Sequence, residues 1–177
     1  MTPAESIPNP KETKITQEIE ALASQVFPED ITEPIMGMTD KDIVAPNIYE
    51  MVNNPENTLA TLLEDDKVVG FSLAVPIGKM DTTRTAESAE TAYIYFSGIE
   101  LSRQGKGLVK TLLDTMMRKL VDRGYSFAER HSVLTQDYAD NVEKTYAGAI
   151  VEKRDGVWWP EVGPERFFRI DLSKVEL

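Results

Sequence analysis

The sequence predicts a mixed α/β fold, and two patterns of apolar residues support this prediction. Residues 106–123 carry apolar side chains at helical spacing along one stripe, whereas residues 92–101 and 125–133 are short runs rich in aromatic and β-branched side chains. The predicted order along the chain is helix, helix, strand, strand, strand, helix, strand, helix, strand, strand. No segment recurs at a fixed period and no internal linker divides the chain, so we expect one domain.

The N-terminal part is predicted to be helical after a short tail. Residues 1–14 are rich in Pro, Glu, Thr and Lys, which is typical of a poorly ordered tail or lead-in, and the domain then covers residues 15–177. A second helix is predicted over residues 42–52, because Asn53-Asn54-Pro55 would end it. The first helix, beginning at residue 15, would place four apolar side chains on one face: Ile19, Leu22, Ala23 and Val26.

The remaining elements alternate between strands and helices. Helices are predicted over residues 106–123, where Gly124 would cap the C-terminus, and over residues 135–147. Strands are predicted over residues 58–63, 67–75, 92–101, 125–133, 149–154 and 166–172. Small and polar residues predict exposed loops over residues 77–90 and over the segment that carries Asp155-Gly156, Trp158-Trp159 and Pro160.

Composition and charge exclude several classes of function. The net charge is −11, whereas binding to nucleic-acid phosphates needs clustered Lys and Arg, so we expect no nucleic-acid partner. An acidic surface would instead attract a cationic or amine-bearing partner, although solubility alone also explains the charge. The chain has no cysteine and a single histidine, which excludes disulfides, zinc–thiolate sites and a cysteine nucleophile.

The hydropathy of the sequence indicates in which cell compartment the protein is expected. No apolar run approaches the roughly 20 residues that span a bilayer, so we expect no membrane partner. The N-terminus lacks a basic segment followed by an apolar one, which is the pattern of a secretory signal. Together with the absence of cysteine, these observations favour a cytoplasmic protein, and the sequence leaves open whether it is a monomer or a homodimer.

The segment ELSRQGKGLVKTLL, residues 100–113, places two glycines and a lysine where a predicted strand meets a predicted helix. A helix N-terminus has unpaired N–H groups and the positive end of the helix dipole, and glycine lets a phosphate approach the backbone closely. The Walker A pattern does not fit, because Leu108 follows Gly107 where Ser or Thr is needed. The dinucleotide pattern GxGxxG also fails, because Lys110 occupies its third glycine position.

A third pattern fits these residues. The chain resembles the GNAT superfamily of acyl-CoA-dependent N-acyltransferases, whose motif Gln/Arg-x-x-Gly-x-Gly/Ala is matched by Gln104 and Gly107, with Val109 in place of the last Gly or Ala. The hairpin TLATLLEDDKVVGFSLAV and the run YIYFSGIEL are similar to the family's central strands, and the resemblance covers roughly residues 15 to 172. It implies a mixed, mostly antiparallel central sheet flanked by helices, with acetyl-CoA as co-substrate and no metal.

The resemblance also implies roles for particular residues. The arm of acetyl-CoA would pair with backbone groups of Ile99 and Leu101, where the family's strand parts from the next. Glycine inside a strand often marks a bulge, so Ser97-Gly98 would either host the bulge that starts this parting or only relieve crowding. Asn141 would contact the same arm, and Tyr146 would protonate the departing thiolate. Tyr146 also fits a core position, and Asn141 also fits a helix cap or the surface. The pyrophosphate would lie in a glycine loop, which we define as Gln104, Gly105, Lys106, Gly107, Leu108 and Val109.

A general base for the amine is harder to choose. Glu129, on the predicted strand at residues 125–133, is our first candidate, and Glu100 and His131 are alternatives, since imidazole ordinarily titrates near pH 6.5. Each of these residues also fits a structural role. Tyr93 and Tyr95 are predicted to lie on one strand face, where some members of the family carry an acceptor-site carboxylate, although aromatic packing is the simpler interpretation of both. Trp158 and Trp159 would either form an apolar, cation-binding wall beside the acceptor or lie in the core.

The sequence therefore predicts an N-acetyltransferase that transfers an acetyl group from acetyl-CoA directly to a primary amine. The acceptor would be a small molecule or a protein, and the charge favours a small cationic amine or a lysine-like group. A non-catalytic acyl-CoA-binding or regulatory module on the same fold is the alternative. A partner-binding domain with a degraded glycine loop is a third interpretation.

Overall fold

Six strands form one mixed sheet in the described part of the chain. The structure, a computed structural model, describes residues 10–26, 48–80, 90–134, 138–159 and 163–177. The strands are β1 (Thr58–Glu64), β2 (Lys67–Pro76), β3 (Thr91–Ile99), β4 (Phe127–Val133), β5 (Ile150–Trp159) and β6 (Gly163–Asp171). They lie in the order β1-β2-β3-β4-β6-β5, and β3 and β4 are parallel whereas the other neighbours are antiparallel.

Helices cover both faces of this sheet. They are α1 (Pro10–Val26), α2 (Ile48–Asn53), the single turn α3 (Ile77–Met80), α4 (Leu108–Asp122) and α5 (Tyr138–Tyr146). The predicted α/β class and the mostly antiparallel sheet with flanking helices are therefore confirmed. No helix in the described ranges is long and apolar enough to cross a membrane.

Alternation along the strands sends neighbouring residues to two separate apolar cores. Ala60 and Ala74 belong to the core under α4 and α5, whereas Leu59 and Phe71 belong to the core under α1. We call these the α4 face and the α1 face of the sheet. The α4 face buries Leu112, Leu113, Met116, Met117 and Leu120, the stripe predicted for this helix. Since β-strand side chains alternate between faces, each polar residue of β4 can be assigned to one of them.

The parallel strands β3 and β4 pair over three residues only, and then they part. Their last pair is Tyr93 with Glu129, although β3 continues to Ile99 and β4 continues to Val133. We call the gap between these unpaired ends the wedge. It matches the parted strands that the resemblance implies.

The bulge in β3 is not where the sequence suggested. Ser97 and Gly98 pair regularly with β2, and the irregularity lies at Tyr95, which has no partner between the pairs of Ile94 and Phe96. Tyr95 and Phe96 therefore point to the same side, and their rings touch at 4.4 Å between centroids. The prediction of a bulge at Ser97-Gly98 is wrong, because pairing with β2 fills both positions.

Several element boundaries also differ from the predictions. The first helix begins at Pro10, inside the predicted tail, because proline is well suited to a first helical turn that needs no N–H donor. The predicted loop at Asp155-Gly156 and Trp158-Trp159 is instead part of β5, which pairs with β6 and is irregular between Gly156 and Trp159. Residues 1–9, 42–47, 81–89, 135–137 and 160–162, which include parts of predicted elements, lie outside the described residues.

Candidate active site

The glycine loop joins β3 to α4 with two backbone positions that favour glycine. Gly105 has φ +75° and Gly107 has φ +76°, both in the left-handed region that other residues rarely adopt. A Cβ atom at either position would meet no atom within 4 Å, so the space above the loop is open. Gly107 is the N-cap of α4, and no side chain of the described residues caps this end. The loop therefore offers backbone N–H groups and the positive end of a helix dipole to an anion.

Side chains of the glycine loop hold it against the rest of the protein. The Gln104 side-chain amide donates to the carbonyl of Ile99 at 3.1 Å, which ties the loop back to the end of β3. Val109, the departure from the family motif, lies in α4 and packs against the apolar core of the α4 face. Lys106 and Leu101 are exposed. The predicted cofactor residues from 99 to 109 thus form one continuous rim at the mouth of the wedge.

Tyr146 ends α5 and is buried in the core of the α4 face. Its hydroxyl donates to Asp114 Oδ1 on α4 at 2.8 Å, and Lys110 Nζ bonds the other oxygen of that carboxylate at 2.5 Å. Burial raises the pKa of Tyr146, and the hydrogen bond from Tyr146 to Asp114 raises it further. The phenol therefore keeps its proton throughout the physiological range, and in this conformation the proton is directed at Asp114.

Arg130 of β4 lies beside Tyr146 on the same face. It is 5% exposed, its Nε donates to Ser132 at 3.1 Å, and its guanidinium stacks over the Tyr138 ring at 4.6 Å. Within the described residues, Arg130 Nη1 and the Tyr138 hydroxyl are buried without a hydrogen-bond partner. Asn141, by contrast, is exposed in the first half of α5. The buried positive charge of Arg130 opposes the rise in the pKa of Tyr146 and favours negative charge close to it.

The first candidate base, Glu129, lies on the α1 face at the last paired position before the wedge. It is 1% exposed and accepts a hydrogen bond from Arg169 Nη1 at 3.0 Å. The Arg169 guanidinium also stacks over Phe127 at 4.4 Å. Glu129 is thus held in a buried ion pair. The alternative candidate Glu100 lies at the end of β3, where it forms an ion pair with Lys67 at 3.8 Å.

Aromatic side chains line the same face beside Glu129. The Tyr93 hydroxyl and His131 Nδ1 are 2.9 Å apart, and the His131 ring lies 4.5 Å from the Trp158 ring and 5.1 Å from the Phe167 ring. Tyr93 also contacts Tyr95, as the sequence predicted, at 6.3 Å between centroids. The side chain of Trp159 lies outside the described part of the structure. We call Tyr93, His131, Trp158 and Phe167 the aromatic wall.

Glu165 of β6 lies at the edge of the aromatic wall, opposite Val133 of β4. It is 5% exposed, and no group in the described ranges donates a hydrogen bond to its Oε2. Burial raises the pKa of Glu165 to about 7. Burial also raises the pKa of Tyr93, with Arg130 opposing and the charge of Glu165 adding to the shift, so Glu165 and Tyr93 are electrostatic neighbours.

Sequence reasoning missed three residues that the fold brings to this region: Asp114, Arg130 and Glu165. Asp114 left a weak signal, since it interrupts the apolar stripe of α4 and lies four residues after Lys110. Arg130 alternates with apolar residues on a strand and carries no local signal. Glu165 lies in a segment that pattern reasoning left as a loop. In the described part of the chain, no group of three or more carboxylate or histidine side chains is placed to hold a metal ion.

Comparison with known proteins gives one family. Residues 18–141 match the model of the acetyltransferase (GNAT) family. No curated protein sequence matches the chain.

Solved structures with similar folds are acetyltransferases of low sequence identity. An aminoglycoside 6'-acetyltransferase type Ii has a TM-score of 0.62 and 18% identity, with 89% of this chain and 90% of that chain covered. The ribosomal-protein-S18-alanine N-acetyltransferase from Escherichia coli has a TM-score of 0.57 and 10% identity, covering 92% and 89%. An aminoglycoside 6'-N-acetyltransferase complexed with coenzyme A has a TM-score of 0.54 and 15% identity, covering 95% and 94%. At these identities the similarity is one of fold.

Proposed function

The chain belongs to the GNAT family of acyl-CoA-dependent N-acetyltransferases, and we propose that it transfers an acetyl group from acetyl-CoA to a primary amine of cationic character. The observation that carries this proposal is the arrangement at the wedge. An open glycine loop with two left-handed glycines leads directly into an uncapped helix N-terminus, at the end of a strand that has just parted from its parallel neighbour.

The residues around the wedge fit acetyl-CoA. Backbone N–H groups of the glycine loop would hold the pyrophosphate, and Lys106 would add positive charge. The strand end at Ile99 and Leu101 would pair with the extended arm, and Asn141 would contact it from α5. When bound there, acetyl-CoA supplies an acetyl thioester that an amine can attack without a covalent enzyme intermediate.

In the proposed reaction the amine nitrogen forms a bond to the acetyl carbon and the carbon–sulfur bond breaks. Tyr146 would give its proton to the leaving thiolate sulfur, which requires its hydroxyl hydrogen to rotate away from Asp114. The positive charge of Arg130, buried beside Tyr146, would stabilise the negative charge that develops there. The proton lost by the amine nitrogen goes to a base on the α1 face, for which Glu129 remains our prediction.

Two observations favour a cationic acceptor. The chain carries a net charge of −11, so its field would concentrate a protonated amine near the surface. The aromatic wall offers ring faces to a cation at the α1 face of the wedge. Some proteins of similar fold are named for amine acceptors, aminoglycosides in one case and a ribosomal-protein alanine in another, which supports an amine without selecting one.

A matched panel of primary amines tests the proposal. Cationic, neutral and anionic amines of similar size are mixed with acetyl-CoA, and CoA release and the acetylated product are measured at low and high salt. We expect the cationic amines to have the highest kcat/KM, and salt to lower it several-fold by screening over about 10 Å. If acetyl-CoA binds but no amine yields product, the chain is a binding module. If cationic amines have no advantage, the charge serves solubility only.

A further inference from the structure

The proposed reaction assigns no role to one buried acid, Glu165. It is 5% exposed, and within the described residues its Oε2 has no hydrogen-bond donor. A buried carboxylate without a partner destabilises the fold, and buried polar groups in proteins are normally paired. Arg166, the next residue, illustrates the usual outcome, because its guanidinium forms ion pairs with Asp140, Glu143 and Asp155.

The indole of Trp158 lies close to the strand position that carries Glu165. Gly156 of β5 is paired with Glu165, and a Cβ atom on Gly156 would lie only 3.0 to 3.2 Å from three ring carbons of Trp158. The same indole contacts His131 on β4, on the far side of β6. Since β6 lies between β5 and β4, the indole extends across the strand that carries Glu165. Aromatic ring faces bind organic cations, and a carboxylate beside them adds the opposite charge.

We propose that Glu165, together with the aromatic wall, binds the protonated ammonium group of the acceptor amine. This inference rests on the proposed function, since it names the chemical group that the acceptor side of that site recognises. The carboxylate would supply the opposite charge and the ring faces would supply cation–π contacts. The site lies beside the open end of the wedge, because Glu165 is opposite Val133, the last residue of β4.

The protein itself already places a cation on this wall. The Arg154 guanidinium stacks over the Phe167 ring at 4.8 Å, on the same face as Glu165. Arg154 is also the obvious internal rival for Glu165. However, its Nε forms an ion pair with Glu152 Oε1 at 2.9 Å, which holds it toward the exposed side of β5. The carboxylate therefore keeps an open position for a cation from outside the chain.

Glu129 is a poorer candidate for the same task. It lies on the same face, but Arg169 already donates a hydrogen bond to its carboxylate at 3.0 Å. An incoming ammonium group would have to compete with a guanidinium inside a buried ion pair. Of these two buried acids, Glu165 is the one with an oxygen, Oε2, that accepts no hydrogen bond from the described part of the chain.

Direct binding of a simple ammonium probe tests this inference. Butylammonium and its neutral counterpart butan-1-ol are titrated into the full-length protein without acetyl-CoA, so that no transfer takes place, and at a pH of about 8, above the pKa of about 7 of Glu165. We expect the wild type to bind butylammonium roughly 10-fold more tightly than butan-1-ol, and Glu165→Gln to remove that preference. Glutamine has nearly the same shape, and a thermal melt of the variant confirms that it is folded.

A matched control separates local binding from the general field. Glu176→Gln removes one negative charge from an exposed position after β6, away from Arg154, so it changes the net charge by the same amount. The preference should survive in Glu176→Gln. Equal loss in both variants, retention of the preference in Glu165→Gln, or the absence of any preference in the wild type each overturns the inference.

The binding of butylammonium and the acetylation of amines are separate measurements, so the two proposals can fail separately. If Glu165-dependent binding of butylammonium is observed but no amine is acetylated, the proposed function fails and the ammonium site stands. If amines are acetylated but Glu165→Gln leaves KM for cationic and neutral amines in the same ratio as the wild type, the ammonium site fails and the proposed function stands.

Discussion

The two faces of the sheet at the wedge hold their polar groups in different ways. The glycine loop presents backbone donors from one continuous stretch, and no described side chain caps them. On the α1 face the polar groups are side chains contributed by β3, β4, β5 and β6, and they are buried under one another. A phosphate site built from backbone depends on local conformation, whereas a side-chain site depends on which strands are neighbours. The following variants test that difference.

The largest effect is expected for Tyr146, which is buried on the α4 face. Tyr146→Phe keeps the ring and loses the hydroxyl, so we expect kcat to fall by roughly 100-fold while the Kd for acetyl-CoA hardly changes. Steady-state kinetics and calorimetry measure the two quantities. Tyr125→Phe is the matched control, because Tyr125 packs against the same core but lies at the far end of α4. Wild-type turnover in Tyr146→Phe would make Tyr146 a core residue only.

The next largest effect concerns the backbone of the glycine loop. Gly107→Glu adds a side chain and a negative charge at a left-handed position, so we expect acetyl-CoA binding to weaken by at least ~10-fold, about 1.4 kcal/mol. Gly124→Glu introduces the same strain at the opposite end of α4, where φ is +83°. Both variants should lose similar stability, but only the first should lose affinity. Equal affinities would remove the pyrophosphate from this loop.

The third prediction concerns stability and the burial of Glu165. Its pKa is about 7 in the folded protein against an ordinary 4.5, so between these pH values the folded state holds a proton that the unfolded state has lost. The free energy of unfolding of the wild type should therefore decrease as pH rises from about 4.5 to 7, relative to Glu165→Gln. Above pH 7 the variant should be more stable, by on the order of 1 kcal/mol.

Other polar and charged groups on the α1 face also contribute to the pH dependence of stability. The other polar and charged groups of this face are the same in both proteins, so their contributions largely cancel in the difference; they are Tyr93 on β3, Glu129 and His131 on β4, Arg154 on β5 and Arg169 on β6. Urea denaturation at a series of pH values supplies the measurement. A difference that does not change between pH 4.5 and 7.5 would mean that Glu165 is solvated.

The smallest effect is expected at Gly156, which makes room for the indole. An alanine Cβ would lie 3.0 Å from Trp158 Cη2, so the ring has to move by a few tenths of an ångström. We expect Gly156→Ala to destabilise the protein by less than about 1 kcal/mol and to shift the tryptophan fluorescence. Gly148→Ala is the control, since its Cβ would meet no atom within 4 Å. An unchanged spectrum would contradict the close packing of the indole against Gly156.

The difference between the faces also explains which elements could be predicted from the sequence and which could not. The glycine loop, the stripe of α4 and the hairpin of β1 and β2 are local patterns, and the structure has elements at those positions. The end of β5 was predicted as a loop because Asp155-Gly156 is a turn pattern, whereas pairing with β6 extends the strand to Trp159. Local propensity is outweighed there by hydrogen bonds to a strand that follows in the chain.

The sequence by itself determined the mixed α/β class and the glycine loop, because helical spacing, strand-like runs and left-handed glycines depend on neighbouring residues only. Only the tertiary structure decided that Tyr146 meets Asp114 between two helices, and that Glu165 is buried with an oxygen to which no described group donates a hydrogen bond. Tyr146 and Asp114, for example, are 32 positions apart in the sequence. Strand order and strand register place such residues together, and neither is encoded in any short segment.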